Sequence, residues 1–526
     1  MKQFNYDLLE NRKKELIQDN SGPGRVYHSP NGTFPSITNL LFEMVSKKRI
    51  QEWEDKIGKE AAQKIKTKSS RRGTRIHGYL EKYLAGDEDY LEKAPPDHME
   101  LVNLAIPQIN EKIDNEISVD FKCDLIDAEN LYLIPGLIDD QVHFREPGLI
   151  HKAEIFTESM AAIAGGVTSF MEMPNTIPNA TSIEELEKKY LIGSKRSFAN
   201  YSFYLGATNN NMSELNKLDK NKICGVKIFM GSSTGNMLVD NERALHEIFK
   251  NSEVIITTHC EDEMTIRENI AKATEKFGEN IPIEHHPIIR SHEACYKSSS
   301  RAISLAKEYG SKLHILHIST KEELELFEDI PLKDKKITSE ACLHHLWFDD
   351  SDYRELGSLI KWNPAVKTKD DREAILSGLH KNLIDVIATD HAPHTLEEKS
   401  DTYLKSPSGG PLIQFSLPLL LQLNHQNKIK LEDIVQKTSH NLSTLFQIKD
   451  RGYIREGYYA DLVLFDLDAK TKVSEEVIHS KCGWSPLKNE TFNSRVMHTI
   501  VSGNHIYNNG KINGEPESMR LEFERD

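Results

Sequence analysis

The chain has 526 residues, more than one average domain, and its 38% hydrophobic and 28% charged residues are the balance of a globular protein. No apolar run reaches the roughly 18 residues of a membrane span, and the opening MKQFNYDLLENRKKEL lacks the apolar core of a signal peptide. The six cysteines form no CxxC pair and the net charge is −15. We therefore expect a reduced, cytoplasmic protein. We do not expect the larger, acidic part of the chain to bind nucleic acid.

Residues 1–112 differ in kind from the rest of the chain. From Lys47 to Lys82 there are 12 basic and 5 acidic residues, and the helical period of this stretch predicts a mainly helical segment. The basic residues indicate either a solvated helix face, which we favour, or a nucleic-acid contact. The Pro-containing EKAPPDHMELVNLAIPQ places the domain boundary near 110–117.

The middle of the chain alternates short β-rich runs with helical stretches such as SSSRAISLAKEYG. Eight such repeats over about 300 residues favour a closed (β/α)8 barrel over an open doubly wound sheet. No GxGxxG or P-loop sequence is present. We therefore predict an α/β fold with a (β/α)8 TIM barrel over residues 135–445. Its strands are predicted at 132–144, 167–174, 201–208, 224–230, 253–260, 313–319, 336–345 and 384–391.

Short alternating strands with Gly and Asn turns flank the predicted barrel. CDLIDAENLYLIPG precedes it, and GYIREGYYADLVLFDLD and RVMHTIVSGNHIYNNGKI follow it. This pattern predicts a small β-sandwich built from residues 113–134 and 446–515.

Polar side chains cluster where the predicted barrel strands end, which is where such barrels place catalytic groups. Imidazole and carboxylate groups at one barrel mouth suit zinc with open positions for water. His314 and His317 are three residues apart, which places them on opposite faces of a strand. We therefore expect His317 at the mouth and His314 facing the helices. The strand-end residues are His143, Arg145, Asn175, Lys227, His259, His317, Asp390 and His394.

Several ordered motifs carry a family resemblance: LIPGLIDDQVHFREPG, AGGVTSFMEMPNT, GVKIFMGSSTG, HIST, ATDHAPH and KCGWSP. Over about residues 113–515 the chain resembles the dihydroorotases of the amidohydrolase superfamily. The resemblance implies a (β/α)8 barrel with a small β-sandwich. It also implies zinc-dependent interconversion of dihydroorotate and N-carbamoyl-L-aspartate in pyrimidine biosynthesis, with one or two zinc ions. A homodimer is left open.

The same resemblance assigns roles to individual residues. His143 and Asp390 match ligands of a first metal, His259 and His317 match those of a second, and Lys227 matches a carboxylated lysine that bridges them. Asp390 also matches the catalytic residue that moves the proton. The residues matching the substrate-binding set are Arg145, Asn175, Asn363 and His394. Hydantoinases and allantoinases share the metal motifs but lack this set, which favours dihydroorotase.

Two departures from the family stand out. Gln141 occupies the first position of the metal-binding HxH pair, and an amide is a poorer zinc ligand than imidazole. We therefore predict either weaker occupancy of the first metal position or a site that relies on one metal. The other departure lies at the N-terminus, where FPSITNLL, EAAQKI and RRGTRIHGYLEKYL resemble the start of a PD-(D/E)XK phage or mitochondrial exonuclease. His77 and Glu81 match its early metal positions. No convincing (D/E)xK core follows, so we expect no active nuclease.

Three hypotheses remain. We favour a zinc-dependent cyclic amide hydrolase, a dihydroorotase. The second is a catalytically impaired dihydroorotase-like protein that serves in binding or assembly, and the third is a DNA-processing module formed by the N-terminal segment. Since few sandwich strands precede LIPG, we also expect an exposed sheet edge and a lower stability than that of an uninterrupted relative.

Overall fold

The computed structural model describes three short N-terminal strands, residues 94 and 126, and residues 128–231 and 237–525. The N-terminal strands are β1 (Ile17–Asp19), β2 (Val26–Ser29) and β3 (Gly32–Pro35), which form an antiparallel sheet in that order. They belong to a unit of residues Met1–Asp127, and Ala128–Asp526 form a second compact unit. Residues 1–112 are predicted to be mainly helical, but the elements that the structure describes in this segment are these three strands. The rest of the segment except residue 94, the boundary near 110–117, and His77 and Glu81 lie outside the described residues.

The second unit alternates strands and helices. Its strands are β4 (Tyr132–Pro135), β5 (Leu137–Val142), β6 (Val167–Glu172), β7 (Asn200–Phe203), β8 (Leu205–Gly206), β9 (Val226–Phe229), β10 (Ile256–His259), β11 (Leu313–Ile315), β12 (Ile337–Cys342), β13 (Val386–Ala388), β14 (Leu462–Asp466), β15 (Thr471–Lys472), β16 (Thr491–Phe492), β17 (Arg495–Val501), β18 (Asn504–Asn508) and β19 (Lys511–Ile512).

The helices of this unit are α1 (Ile155–Ala164), α2 (Ile183–Arg196), α3 (Met212–Leu215), α4 (Glu242–Asn251), α5 (Glu263–Phe277), α6 (His286–Ile289), α7 (His292–Tyr309), α8 (Leu343–Trp347), α9 (Tyr353–Leu356), α10 (Lys369–His380), α11 (Leu396–Lys399), α12 (Ser416–His425), α13 (Leu431–Val435) and α14 (Asn441–Phe446). Short 3-10 turns lie at Ile283–His285, Glu322–Leu326, Leu332–Asp334, Asp350–Asp352, Gly357–Ile360, Ile413–Phe415 and Glu475–Val477, and a π-helical turn lies at Gln436–His440. Within the described ranges, no helix has the combined length and apolar character that crossing a bilayer requires.

Strands β5 to β13 form the predicted parallel barrel. They pair in chain order as β5-β6-β7 and β8-β9-β10-β11-β12-β13. Only Tyr204 separates β7 from β8, so these two count as one barrel strand and the barrel has eight. A parallel bridge between Val142 and His391 brings the last strand beside the first. The predicted eight-stranded barrel is confirmed, and its strands are almost wholly buried because helices cover a parallel sheet.

Local sequence signals fix where the barrel helices begin. Ser182 is the N-cap of helix α2, and its side chain accepts a hydrogen bond from the Glu185 N–H. Thr368 is the N-cap of helix α10 and forms a reciprocal capping box with Asp371. These side chains satisfy backbone N–H groups that the first helical turn leaves without partners.

The C-terminal residues close the amino end of the barrel, a role that no sequence pattern predicted. Leu521 and Phe523 are buried in a cluster with Phe446 at the end of α14 and with barrel residues such as Ile255. The Arg525 guanidinium donates to the carbonyl oxygens of Cys224, just before β9, and of Phe446. The tail therefore packs against the ends of the strands opposite the barrel mouth.

We expect the Phe523→Ala variant to melt several degrees below the wild type, since deleting a buried phenyl ring costs about 3–5 kcal/mol. Phe523 is 3% exposed. The neighbouring Glu522 is exposed, so Glu522→Ala is the matched control and should leave the melting temperature within about 1 °C. Differential scanning calorimetry measures both variants, and equal melting temperatures for the two would contradict a sealing role for the tail.

Two small β-structures accompany the barrel. A five-stranded antiparallel sheet has the order β19-β18-β17-β14-β4, and β15 pairs with β16. Among the described strands β4 is the edge of its sheet, and Tyr132 and Leu133 on it are 46% and 50% exposed. Most of residues 113–127, which precede β4, lie outside the described residues, so the exposed edge and the lower stability both stay predictions.

Candidate active site

The first barrel strand delivers His143 to the mouth beside the ends of the second and eighth strands. Its Nδ1 atom lies 2.8 Å from Asn175 Oδ1, and its Nε2 atom lies 3.3 Å from Asp390 Oδ1. The His143 backbone N–H donates to the His391 carbonyl at 2.8 Å. Burial lowers the pKa of His143 well below its usual value, and Arg145 adds to this. The imidazole is therefore neutral, with Nε2 towards the carboxylate.

A second pair of side chains, both of them imidazoles, lies at the ends of the fifth and sixth strands. His259 Nδ1 and His317 Nε2 are 3.0 Å apart. The other nitrogen of His259 lies 2.9 Å from Glu261 Oε2, and Arg290 forms an ion pair with that carboxylate. Since a carboxylate accepts the Nε2 proton, the lone pair of His259 Nδ1 points at His317. Burial lowers the pKa of both histidines.

Lys227 on β9 is buried within the barrel, at 1% exposure. Burial lowers the pKa of its amine to about 8, although Glu340 and Asp390 act in the opposite direction. Its Nζ atom lies 4.8 Å from the centre of the Phe229 ring. A larger share of this amine is therefore neutral at pH 7 than for an ordinary lysine.

Asp390 follows β13 and faces His143. Burial raises the pKa of its carboxyl to about 7, against the opposing effects of Lys227 and His259. Three mouth residues, Arg145 (φ 70°), His317 (φ 42°) and Asp390 (φ 46°), have left-handed backbone conformations. Such conformations are uncommon outside glycine and concentrate at functional sites.

His314 corrects one expectation. Its Nε2 atom lies 3.2 Å from Asp140 Oδ2 and 3.9 Å from Glu340 Oε2. Because β5 is not adjacent to β11 in the sheet, this contact crosses the barrel interior, so His314 does not face the helices. The alternation rule failed because β11 ends at Ile315 and the left-handed His317 lies beyond it. His317 itself lies at the mouth, as predicted.

A second polar group surrounds Arg145. Its Nε atom donates to the Pro393 carbonyl at 3.1 Å, and an Nη atom lies 2.9 Å from His394 Nε2. Ser408, whose carbonyl lies 3.0 Å from His394 Nε2, also donates from its hydroxyl to Asn363 Oδ1. Three of the four predicted substrate-binding residues thus form one linked group, and Asn175 instead contacts His143.

Comparisons with known proteins identify the family. The model of the amidohydrolase family matches residues 132–506. The chain belongs to this family. It is 32% identical to a dihydroorotase of Methanosphaera stadtmanae over 396 residues, covering 75% of this chain and 89% of the relative. It is 30% identical to a dihydroorotase of Methanothermobacter thermautotrophicus, covering 74% of this chain and 86% of the relative.

A solved structure supports the fold. The L-hydantoinase (dihydropyrimidinase) from Arthrobacter aurescens has a TM-score of 0.72 and 25% identity, covering 77% of this chain and 93% of that structure. The predicted amidohydrolase barrel and its class of reaction, hydrolysis of cyclic amides, are confirmed. The N-terminal exonuclease resemblance concerns residues outside the described part of the chain.

Amidohydrolases are generally metal-dependent, and the mouth holds two pairs of side chains with atoms that can bind a metal ion. Two imidazole nitrogens lie 3.0 Å apart, and a third lies 3.3 Å from a carboxylate oxygen. Within the described residues, His317 Nδ1 is buried without a hydrogen-bond partner. Nitrogen and carboxylate donors at this spacing are those that zinc prefers.

The Gln141 side chain lies against Cys342 at the end of β12. It is 2% exposed, and its Oε1 atom lies 3.6 Å from Cys342 Sγ, whose thiol has a shorter contact, 3.1 Å, with Glu340 Oε1. An imidazole at this position would be the better zinc ligand.

Sequence reasoning missed the acidic residues that support this amidohydrolase site. Glu261 fixes the tautomer of His259, and Glu340 Oε1 accepts from the His317 backbone N–H at 2.9 Å. Glu172 pairs with Lys189 at 3.0 Å and accepts from the Phe144 backbone N–H. A signal was available, since each is an acidic residue in or directly after an apolar strand.

Proposed function

We propose that the protein is a dihydroorotase, which opens the ring of dihydroorotate to N-carbamoyl-L-aspartate and closes it again. The observation that supports this substrate is Arg145, a buried guanidinium linked to His394 beside the His143 and Asp390 pair. Two curated relatives at 30–32% identity have this name. A fixed cation next to a hydrolytic site suits a cyclic amide that bears a carboxylate.

Arg145 would bind the substrate carboxylate. The hydrogen bond from its Nε atom to the Pro393 carbonyl and the contact of an Nη atom with His394 hold the guanidinium plane, so little rotamer freedom remains to be lost on binding. Asn363 and His394, joined through Ser408, would complete the polar surface for this group. Burial lowers the pKa of Arg145 to about 10, which leaves it charged at neutral pH.

His143, Lys227, His259, His317 and Asp390 would hold the metal. Zinc bound there would polarise the ring carbonyl and lower the pKa of the attacking water. The lowered pKa of Lys227, about 8, favours the neutral amine that reacts with carbon dioxide to give a carbamate. The Glu261 and Arg290 pair would keep His259 in the tautomer that presents Nδ1.

Asp390 would move the proton. In the hydrolytic direction the water oxygen bonds to the ring carbonyl carbon and passes a proton to the Asp390 carboxylate. The carbon–nitrogen bond then breaks, and Asp390 returns the proton to the leaving nitrogen. A buried carboxyl with a pKa of about 7 is suited to both steps near neutral pH.

An assay with three substrates tests the proposal. We expect kcat/KM for dihydroorotate to exceed that for hydantoin and 5,6-dihydrouracil, which lack the carboxylate, by about 100-fold or more. Ring opening is followed by the loss of ultraviolet absorbance. A preference for either neutral ring would show a hydantoinase-like specificity and overturn the assignment, and no turnover of any of them would favour the impaired binding protein.

Gln141 leads to a separate prediction about metal content. We expect Gln141→His to hold about one more zinc ion per chain than the wild type, because imidazole is the better zinc ligand. Inductively coupled plasma mass spectrometry after dialysis at neutral pH measures this difference. Gln141→Asn, which keeps an amide, is the matched control. Equal zinc contents in wild type and Gln141→His would show that glutamine does not weaken the first metal position.

A further inference from the structure

A second cluster of side chains that can bind a metal ion lies inside the barrel. None of its residues belongs to the proposed catalytic site. Asp140 on β5, His314 on β11 and Glu340 on β12 converge there, and one ligand atom from each lies within 4.8 Å of the other two. All three side chains are fully buried. This group is called the deep cluster below.

The deep cluster is short of hydrogen bonds. Both carboxylate oxygens of Asp140, Oε2 of Glu340 and Nε2 of His314 are buried without a hydrogen-bond partner in the described part of the chain. His314 Nε2 lies 3.2 Å from Asp140 Oδ2, but the pair does not have the alignment of a hydrogen bond. The ring nitrogen therefore points between the two carboxylates.

The tautomer of His314 bears on whether its Nε2 atom can bind a cation. The Thr338 hydroxyl donates to the Leu313 carbonyl at 3.2 Å, and the same oxygen lies 2.8 Å from His314 Nδ1. With the hydroxyl proton on the Leu313 side, Nδ1–H is the donor to Thr338. In a neutral ring Nε2 then presents a lone pair towards two carboxylates.

Such an arrangement calls for a cation. The Asp140 carboxylate has no donor among the described residues, and Glu340 has donors at Oε1 only, from the His317 backbone N–H and the Cys342 thiol. Buried carboxylates with so few donors cost several kcal/mol unless positive charge offsets them. Lys227 interacts with Glu340 electrostatically, but within the described residues it makes no hydrogen bond to Glu340 Oε2. Burial and the neighbouring Asp140 raise the pKa of the Glu340 carboxyl well above its usual value. A divalent ion in place of that proton would neutralise the negative charge of both carboxylates.

We propose that Asp140, His314 and Glu340 bind a structural divalent transition-metal ion beneath the catalytic mouth. One imidazole and two carboxylates suit zinc or manganese. Donor atoms around tetrahedral zinc lie about 3.3 Å apart, close to the 3.2 and 3.9 Å observed here. Because the cluster is buried, the ion would enter as the barrel folds.

Metal analysis on a variant without catalytic donors tests the site. The background is His259→Ala with Asp390→Asn, which removes donors from the mouth and leaves the deep cluster intact. After expression with added zinc and dialysis against EDTA, we expect this protein to retain about one divalent ion per chain. Adding Asp140→Asn should reduce that content to near zero. Adding Asp139→Asn, which removes the neighbouring buried carboxylate that instead contacts Thr389, should not.

Retention of no ion by the background variant, or an equal content with and without Asp140→Asn, would overturn the proposal. If Asp140→Asn does not fold, anomalous scattering at the zinc edge from wild-type crystals decides. A peak between the three side chains is expected, and its absence from zinc-replete crystals would show that protons occupy the cluster. These results are separate from dihydroorotate turnover by the wild type, so the two proposals can fail independently.

Discussion

Replacing Asp390 with asparagine is expected to reduce dihydroorotate turnover by about 10³-fold or more, since a general acid–base group contributes about 10²–10⁴-fold. The amide is close in size to the carboxyl but cannot accept a proton from water. Asp390 lies 3.3 Å from His143 and its pKa is raised to about 7, so the change also removes a proposed metal ligand. Steady-state kinetics in both reaction directions measure the loss.

Asp433→Asn is the control for Asp390→Asn, because Asp433 lies on α13 and contacts His380 rather than the mouth. It should retain wild-type kinetics. Circular dichroism and the melting temperature would show whether Asp390→Asn keeps its fold. Equal rates for wild type and Asp390→Asn, with the fold intact, would refute the proton transfer proposed for this residue.

Replacing Arg145 is expected to change substrate affinity more than chemistry. Arg145→Ala should raise KM for dihydroorotate about 100-fold, because hydrogen bonds to charged groups contribute about 1.5–3 kcal/mol. Arg145→Lys keeps the charge but loses the planar fork, so we expect a smaller increase, about 10-fold. Initial rates over a wide substrate range separate KM from kcat.

The order of the two Arg145 variants is the informative result. If lysine restored the full affinity, the site would need only a positive charge and not two parallel hydrogen bonds. If neither substitution changed KM, the substrate carboxylate would bind elsewhere, and the preference for dihydroorotate over neutral rings would lose its structural basis.

The barrel and most of its mouth could be predicted because two rules were enough. Short apolar runs such as VIA in β13 mark buried parallel strands, and the carboxyl ends of those strands meet at one mouth. His143, His259, His317 and Asp390 follow from their positions at strand ends, and the structure brings them together in two pairs.

The deep cluster and the support for the histidines could not be predicted in this way. Strand β5 shifts register against β6 between Asp139 and Val142, so simple alternation does not tell which of its polar side chains enters the barrel. Arg290, which orients Glu261, follows it by 29 residues in a region without a strand. Such contacts depend on the tertiary path of the chain.

The sealing of the barrel by Leu521 and Phe523 has a practical consequence. Residues 521–525 lie at the amino ends of the strands, whereas His143, His259 and Asp390 lie at the carboxyl ends. Attachment to a bead or sensor surface through the exposed Glu524 would therefore hold the barrel with its mouth facing away from that surface. Substrate would reach the immobilised barrel from the solution side.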